Sequence, residues 1–374
     1  MFAFALLLIG FVNLSFSKTV HYDWDITWVT ASPDGFARPV IGINGQWPCP
    51  QIDVDMGDRV VVNVYNALGN QSTTLHWHGI FQTGSSTMDG ASGMGQCPIP
   101  PGGRFKYDFE VRSLLFLPLA KILTQKQINQ PGTYWYHSHN MGQMGDGLRG
   151  PIVVHDAKAP YAGKFDEEIT MTLSDWYHEQ MPNLLNYYES TTDENIRGGL
   201  EPDADSGLIN DSQNVSIPVK PGRTYLIHIV NIGNFAGHAI YFDGHPFTAV
   251  EIDGVYVEPR FIGTQNIRIA TGQRWSFLVD TKNSTDKNFA IFATLDINMM
   301  FPPKGIPPPG YNPNITAWLV YDDKKPLPPP VDIHGFDFFD EMNLVPYDHQ
   351  PILSQVDHQI VVNTGFANLS GVNR

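Results

Sequence analysis

Short runs of alternating apolar and polar residues dominate the sequence, and clusters of Gly, Pro, Asn and Asp separate them. Examples are VVVNVY (60–65), FKYDFEV (105–111), TYLIHIV (224–230) and WSFLVD (275–280). Alternation turns one face of a strand toward a core and the other toward solvent, which is typical of antiparallel sandwiches. The 34 glycines and 29 prolines follow no period, so a collagen-like chain is excluded. We therefore predict an all-β fold.

A faint internal repeat predicts two copies of one sandwich. The turn ING at 43–45 precedes a strand that ends near Asn66, and the turn IND at 209–211 precedes a similar strand that ends near Asn231. Repetition of one turn-and-strand pattern indicates a duplicated structural unit.

The repeat and the proline-rich stretches predict the domain bounds. A first domain is expected over 18–155 and a second over 156–323. The remainder, 324–374, is expected to be a proline-rich linker (KPLPPP) followed by the truncated start of a third unit at 359–363 (QIVVN). A complete sandwich takes on the order of 100 residues, more than this remainder offers.

The N-terminal residues predict secretion. Residues 2–16 are almost wholly apolar and small residues follow, so we expect a signal peptide over 1–17, although no Lys or Arg precedes the apolar run. A buried first strand is the alternative. The secretory pathway would deliver the protein outside the cell or to its surface, and the sequence offers the following glycosylation sequons: Asn70, Asn210, Asn214, Asn283, Asn314 and Asn368.

Charge and motifs narrow the function. A net charge of −15 disfavours a nucleic-acid partner, because phosphate binding needs a basic surface, whereas an acidic surface is compatible with gathering cations. The sequence contains no GxSxG, P-loop or HExxH motif.

Two histidine pairs predict a metal site. LHWHG occupies 75–79 and YWYHSH occupies 134–139. On a strand, residues i and i+2 point to the same face about 6.6 Å apart, so each imidazole is expected to reach a different ion of a cluster. A second pair on a neighbouring strand would supply opposing ligands. Imidazole suits Cu, Zn, Fe and Ni, and an all-nitrogen multinuclear site favours copper.

With these pairs the sequence resembles the multicopper oxidases. Similar segments are GINGQWPCP (42–50), LHWHGIFQTGSSTMDGASGMGQCPIPPG (75–102), GTYWYHSHNMGQMGDGLRGPIVV (132–154), SDWYHE (174–179) and VEIDG (250–254). The sequence of these segments is most similar to fungal iron-transport ferroxidases, with secreted laccases next. The resemblance implies tandem cupredoxin-like (plastocyanin-like) Greek-key β-sandwiches, of which this chain would hold two complete copies and a fragment of a third.

The resemblance also implies an activity and its residues. In the family, substrate electrons enter at a type 1 copper and pass to a trinuclear copper cluster that reduces O2 to water. By motif, His76 would bind type 2 copper, and His78, His137 and His139 would bind the type 3 pair. One carboxylate, Glu201 in GGLEPD, matches a position that holds Fe(II) in the ferroxidases, and Asp296 in ATLDINMM is a weaker candidate because few acidic residues surround it. A solvated loop carboxylate is the alternative for Glu201.

Half of the family's ligand set is missing from the sequence. The stretches HPxHLHG and HCHxxWH, the second of which carries the type 1 cysteine, do not occur. Cys49 and Cys97 lack histidine neighbours, and the look-alike at His245 is expected to be a turn and core residue. We expect at most a partial trinuclear cluster, instead of the family's four copper ions, and no turnover by this chain alone.

One segment interrupts the resemblance. Residues 112–129 (RSLLFLPLAKILTQKQIN) form an anomalous apolar insertion between two strands. We interpret it as a translated intron or another gene-model fault, and extend that interpretation to the end at Arg374. The alternative is a genuine apolar insertion at a hairpin tip.

Three functions remain open. The leading hypothesis is a secreted ferroxidase that oxidises Fe(II) with O2, and its proposed protein partner is an iron permease. A laccase that oxidises small phenols is the alternative within the family. The alternative from another class is a non-catalytic, copper-binding protein of two cupredoxin domains.

Overall fold

The computed structural model describes residues 18–110, 130–189, 201–301, 306–329, 336–351, 356–363, 368–369 and 372–373. The predicted signal peptide over 1–17 and the segment 112–129 lie outside the described residues. Among the described residues, no helix is both long and apolar enough to cross a membrane.

The first sandwich consists of two four-stranded sheets, with strand orders β2-β1-β4-β6 and β3-β8-β7-β5. Strand β1 pairs with β4 in parallel, β4 pairs with β6 antiparallel, and β5 lies at the edge of the second sheet beside β7. Apolar side chains from both sheets form one core. Its strands are β1 Thr19–Ala31, β2 Arg38–Ile43, β3 Ile52–Asp55, β4 Arg59–Asn66, β5 His76–His78, β6 Arg104–Glu110, β7 Gly132–His137 and β8 Arg149–His155.

The second sandwich has a six-stranded sheet, β10-β9-β12-β17-β14-β15, and a five-stranded sheet, β11-β19-β18-β13-β16. A larger apolar core lies between them. Its strands are β9 Glu167–Trp176, β10 Ser206–Ile209, β11 Val215–Pro218, β12 Thr224–Asn231, β13 His238–Phe242, β14 Phe247–Ile252, β15 Val255–Gly263, β16 Ile267–Ile269, β17 Arg274–Asp280, β18 Phe289–Leu295 and β19 Asn314–Val320.

Within the described parts of the chain, helices are few and short. The α-helices are α1 Met181–Tyr188 and α2 Ile297–Met300, and 3-10 turns occur at Ser86–Met88 and Glu341–Asn343. Two further strands, β20 Asn368–Leu369 and β21 Val372–Asn373, pair with each other. The predicted start of a third unit at 359–363 has no regular secondary structure, and Ile360 is 81% exposed.

The internal repeat of the sequence corresponds to a repeat of structure. Strand β9 pairs with β12 in parallel, and β12 pairs with β17 antiparallel, as β1, β4 and β6 do in the first sandwich. The prediction of an all-β chain of tandem sandwiches is therefore confirmed. Strands β1 to β8 lie within 18–155 and β9 to β19 within 156–323. The exact domain bounds stay a prediction.

A buried asparagine ends the corresponding strand in each copy. The Asn66 side-chain amide donates to the carbonyls of Gln71 and Ile99 (2.8 Å each), and its Oδ1 accepts from the Leu68 amide at 3.1 Å. Asn231 does the same in the second copy, donating to two carbonyls at 3.0 Å each and accepting from the Gly233 amide. Such a side chain pairs backbone groups that leave the sheet and would otherwise be buried without partners.

Replacing Asn66 by Ala is expected to destabilise the protein by about 2–3 kcal/mol, because it leaves buried backbone donors and acceptors without hydrogen-bond partners. Urea unfolding followed by tryptophan fluorescence measures the change. Asn63→Ala is the matched control, since Asn63 lies on the same strand but bonds only to Asp23 at the surface, and is expected to change stability by less than about 0.5 kcal/mol. Equal effects of the two substitutions would contradict this role for Asn66.

Candidate metal centre

The pairing of β5 with β7 brings the two histidine pairs together. His76 lies opposite His137 in the antiparallel register, and His78 lies opposite Trp135. The His76 ring centroid is 5.8 Å from that of His78, 5.3 Å from His137 and 5.5 Å from His139. Two histidine-bearing segments that are 61 residues apart in the sequence numbering thereby form one cluster.

The closest approach is between His78 Nδ1 and His137 Nε2, at 3.4 Å. Two nitrogens bound at about 2.0–2.1 Å to one tetrahedral ion lie roughly 3.3–3.4 Å apart. One nitrogen from each of His76, His78 and His137 lies within 4.8 Å of the others. His78 and His137 therefore have the spacing of two ligands of one ion, and the cluster as a whole offers an all-imidazole donor set that suits copper.

Backbone carbonyls orient two of the rings. His76 Nδ1 lies 2.8 Å from the Asp89 carbonyl oxygen, and His137 Nδ1 lies 2.9 Å from that of Ser138. A carbonyl only accepts, so each Nδ1 carries the proton and each Nε2 keeps its lone pair for a metal. Gly90 allows the Asp89 loop to approach the strand, since a Cβ there would lie 1.6 Å from the Leu75 oxygen.

Burial keeps two of the imidazoles neutral. Desolvation, with the Arg274 charge second, lowers the pKa of His78 to about 4. Desolvation also lowers the pKa of His137 to about 3, against a smaller opposing effect of the Ser138 carbonyl. The neutral imidazole is the form that binds a metal, so these ligands are available well below neutral pH.

Aromatic side chains form a rigid shell behind the histidines. Trp135 stacks on His137 with 4.2 Å between ring centroids and lies 4.8 Å from His78. On the opposite face of β5, Trp77 is fully buried and its indole N–H donates to the Met88 carbonyl at 2.9 Å. This packing restrains both strands in the positions that bring the imidazoles together.

The second sandwich contributes the turn between β16 and β17. Gly272 in this turn has φ +81°, and a Cβ on it would lie 3.2 Å from His78 Cε1 and Nε2. This leaves His78 Nδ1 as the nitrogen that faces His137. Arg274, two residues later, donates to the Thr133 carbonyl at 2.9 Å and forms an ion pair with Asp253.

His139 differs from the other three histidines. It is exposed, its ring lies 6.0 Å from that of His137, and its backbone N–H donates to Thr74 Oγ1 at 3.3 Å. It lies at the rim of the cluster, beside the exposed Met141.

The two predicted substrate carboxylates lie elsewhere. Asp296 caps α2 by accepting from the Asn298 amide, and it forms an ion pair with Arg268. Glu201 is partly exposed and lies near Tyr188, whose pKa is raised by burial and secondarily by the Glu201 charge. Their segments flank one small apolar cluster that contains Ala204, Leu295 and Met300.

Neither cysteine is at the histidine centre. Cys49 is buried with its sulfur 3.4 Å from the Gly147 carbonyl, and burial raises the pKa of its thiol to about 12. Cys97 is an exposed, free thiol. His245 is a buried turn residue, as expected, with its ring bonded to the Asp243 carbonyl and to the Tyr321 hydroxyl.

Sequence reasoning missed the residues that orient the histidines. Asp89 and Gly90 lie within the MDG turn, and Gly272 and Arg274 lie within TGQR of the second sandwich. A glycine next to a polar turn residue is a signal for a close backbone approach, but it does not identify what is approached.

Tandem cupredoxin-like sandwiches with a histidine centre define the class of protein, and comparison with known proteins identifies the family. Two family models described as multicopper oxidase match, one over residues 25–115 and 116–159 and the other over 167–324. The chain belongs to the multicopper oxidase family, whose members use copper.

Individual relatives agree with this membership. The chain is 44% identical over 366 residues to an iron transport multicopper oxidase, FET3, of Gibberella zeae. The matched region covers 98% of this chain and 55% of that protein. It is 36% identical over 372 residues to FET3 of Saccharomyces cerevisiae, covering 99% and 54%. The chain thus spans about half the length of these relatives.

Solved structures show the same fold. The crystal structure of Fet3p, a multicopper oxidase that functions in iron import, matches with a TM-score of 0.85 at 36% identity, covering 95% of this chain and 63% of that one. A laccase from Botrytis aclada matches with a TM-score of 0.72 at 27% identity, covering 88% and 58%.

The Gly272 contact leads to a prediction for metal binding. Gly272→Ala should cost about 1 kcal/mol of stability, because its φ is positive, and should weaken copper binding because its methyl group pushes on His78. Gly102→Ala is the control, since Gly102 has φ +74° and nothing within 4 Å of a Cβ. Thermal melts and copper titrations should show similar destabilisation of both variants but weaker copper binding only for Gly272→Ala. Equal copper affinities would contradict the account.

Proposed function

We propose that this chain carries the first-sandwich half of the copper centre of a ferroxidase-type multicopper oxidase. His76 would hold type 2 copper, and His78, His137 and His139 would hold the type 3 pair. The observation that carries this proposal is the 3.4 Å approach of His78 Nδ1 to His137 Nε2, within a cluster made only of imidazoles. When bound, copper supplies one-electron redox chemistry and a place for O2 to be reduced.

The described residues would prepare the site in three ways. The carbonyls of Asp89 and Ser138 hold two rings in the tautomer that exposes Nε2. Burial keeps His78 and His137 neutral, as their lowered pKa values indicate. The stacked Trp135 keeps water from one side of the cluster and restrains both rings.

Fe(II) is the proposed substrate. Support comes from the similarity to iron-transport relatives, from the net charge of −15 and from the partly exposed Glu201. Of the two predicted carboxylates, Glu201 is the better candidate to contact Fe(II), because Asp296 is already bonded to Arg268 and to the first turn of α2. An iron permease remains a proposed partner on the same grounds.

Secretion and glycosylation complete the proposal. Asn70, Asn214 and Asn283 are exposed, whereas Asn210 and Asn314 are partly buried. Asn210 also accepts a hydrogen bond from the Thr172 amide, which makes it the least accessible acceptor for a glycan in the folded chain. The sixth sequon, at Asn368, has no described side-chain environment.

Two observations favour the alternative functions, one a non-catalytic copper-binding protein and the other a phenol-oxidising laccase. Neither cysteine has the environment of a type 1 thiolate, so these 374 residues are proposed to bind copper without oxidising a substrate on their own. The ion pair of Asp296 with Arg268 weakens the support that this carboxylate gives to the iron hypothesis, and therefore favours a phenol-oxidising laccase as the second candidate within the family.

Copper counting and oxygen uptake test the proposal. The purified full chain is loaded with Cu(II) or Cu(I), dialysed and assayed for bound copper, for the blue thiolate-to-copper band and for O2 consumption with Fe(II) or a phenol. We expect bound copper, no blue band and no O2 consumption above buffer. His137→Ala should weaken copper binding at least tenfold, whereas His21→Ala, at an exposed position on β1, should not.

Different outcomes exclude different parts of the proposal. Equal copper binding by His137→Ala and wild type would exclude the histidine cluster as the site. A blue band would contradict the conclusion that neither cysteine serves as a type 1 thiolate. Turnover with a phenol but not with Fe(II) would replace the ferroxidase by the laccase.

A further inference from the structure

A fully buried carboxylate connects the second sandwich to the start of the histidine strand β7. Glu251, on β14, accepts hydrogen bonds from the backbone amides of Thr133 at 2.8 Å and Gly254 at 3.1 Å. It also accepts from the Thr133 hydroxyl at 3.2 Å and from the Ser276 hydroxyl. A buried carboxylate with this many donors is stabilised where it lies and holds its donors in return.

The network continues to the edge of the domain interface. His228 Nδ1 lies 2.7 Å from Thr133 Oγ1 and 2.8 Å from Ser276 Oγ, and its Nε2 lies 2.7 Å from Glu168 Oε1. Apart from Thr133, all the residues of this hydrogen-bond network belong to the second sandwich. Thr133 is therefore held from the other domain by both its amide and its hydroxyl.

Two further contacts close around the same residue. The Thr133 carbonyl accepts from Arg274 Nε at 2.9 Å. The amide, the hydroxyl and the carbonyl of Thr133 are therefore all bonded to residues of the second sandwich. The preceding residue, Gly132, has φ +114°, and a Cβ there would lie 2.5 Å from Glu251 Oε1. The carboxylate thus packs directly against the β7 backbone where this strand begins.

Strand geometry carries this restraint to the histidines. Thr133, Trp135 and His137 alternate along β7 and point to the same face. Trp135 stacks on His137 and also packs against His78. Displacing the Thr133 end of β7 changes the position of Trp135 and with it the spacing between the two imidazoles.

We propose that Glu251 is a positioning residue that fixes β7, and therefore His78 and His137, from the second sandwich. The inference rests on the proposed copper site, because its consequence for function is the geometry of that site. It assigns a role to the second sandwich beyond packing, although Glu251 itself contacts no histidine of the cluster.

A truncation series tests the role. Glu251→Ala removes the carboxylate. Glu251→Gln keeps one oxygen as acceptor for the two backbone amides and replaces the other by an NH2 group, which donates to the hydroxyl oxygens of Thr133 and Ser276. Asp34→Ala is the matched control: Asp34 is another interdomain carboxylate, bonded to His178 Nε2 at 2.8 Å and to the Ser206 hydroxyl at 2.7 Å, away from β7. If Glu251→Ala does not fold, Glu251→Asp, which retracts the carboxylate, replaces it.

Two readouts separate positioning from stability. Hydrogen–deuterium exchange of the metal-free chain reports on the amides of β5 and β7, and Cu(II) titration followed by electron paramagnetic resonance reports on the metal geometry. Glu251→Ala should exchange at least tenfold faster in β7, bind copper at least tenfold more weakly and change the resonance spectrum. Glu251→Gln should restore copper affinity to within about threefold of wild type, and Asp34→Ala should keep wild-type exchange in β7 and the wild-type spectrum.

The inference and the proposed function fail differently. Unchanged β7 exchange, or an unchanged copper affinity and spectrum in Glu251→Ala, would overturn the inference. Failure of Glu251→Gln to restore affinity would also overturn it. Absence of copper binding by the wild-type chain would overturn the proposed function instead, and the exchange data would still decide whether Glu251 holds β7.

Discussion

The antiparallel register between β5 and β7 is the constraint on which the rest of the centre depends. It places His76 opposite His137, and His78 opposite Trp135. A slip of one residue would turn each histidine to the other face of the sheet, where Trp77 and the apolar core lie. Burial of Trp77 therefore fixes the register of β5. The same register points His76 and His78 to the opposite face, where the metal would bind.

The first sandwich does not fix this geometry by itself. The β16–β17 turn places Gly272 against His78, and Arg274 and Glu251 hold Thr133 at the other end of β7. The hydrogen bonds of Arg274 and Glu251 to Thr133 are buried. Misalignment would leave buried polar groups without partners, so these bonds favour one arrangement of the two domains. The position of the second sandwich is thus coupled to the spacing of the imidazoles.

Much of this architecture could be predicted from the sequence. Alternating runs specify strands, and the repeated turn-and-strand pattern that ends near Asn66 and Asn231 identified the duplicated unit. In the structure these two asparagines make the same kinds of hydrogen bonds. The histidine pairs were visible because their spacing is local. Glu251 and Gly272 were not, since their significance comes from contacts more than 100 residues away. Asp296 illustrates a different limit of sequence reasoning. Its motif predicted a residue that contacts Fe(II), but the sequence did not reveal its ion pair with Arg268 or its place at the start of α2.

The central claim is that His78 Nδ1 and His137 Nε2 bind the same copper ion. A crystal structure of the copper-soaked chain, with anomalous diffraction at the copper edge, tests it most directly. We predict an anomalous peak between these two nitrogens, with His78 Nε2 still against Gly272. A peak bound through His78 Nε2, or copper only at sites away from the histidine cluster, would contradict the account.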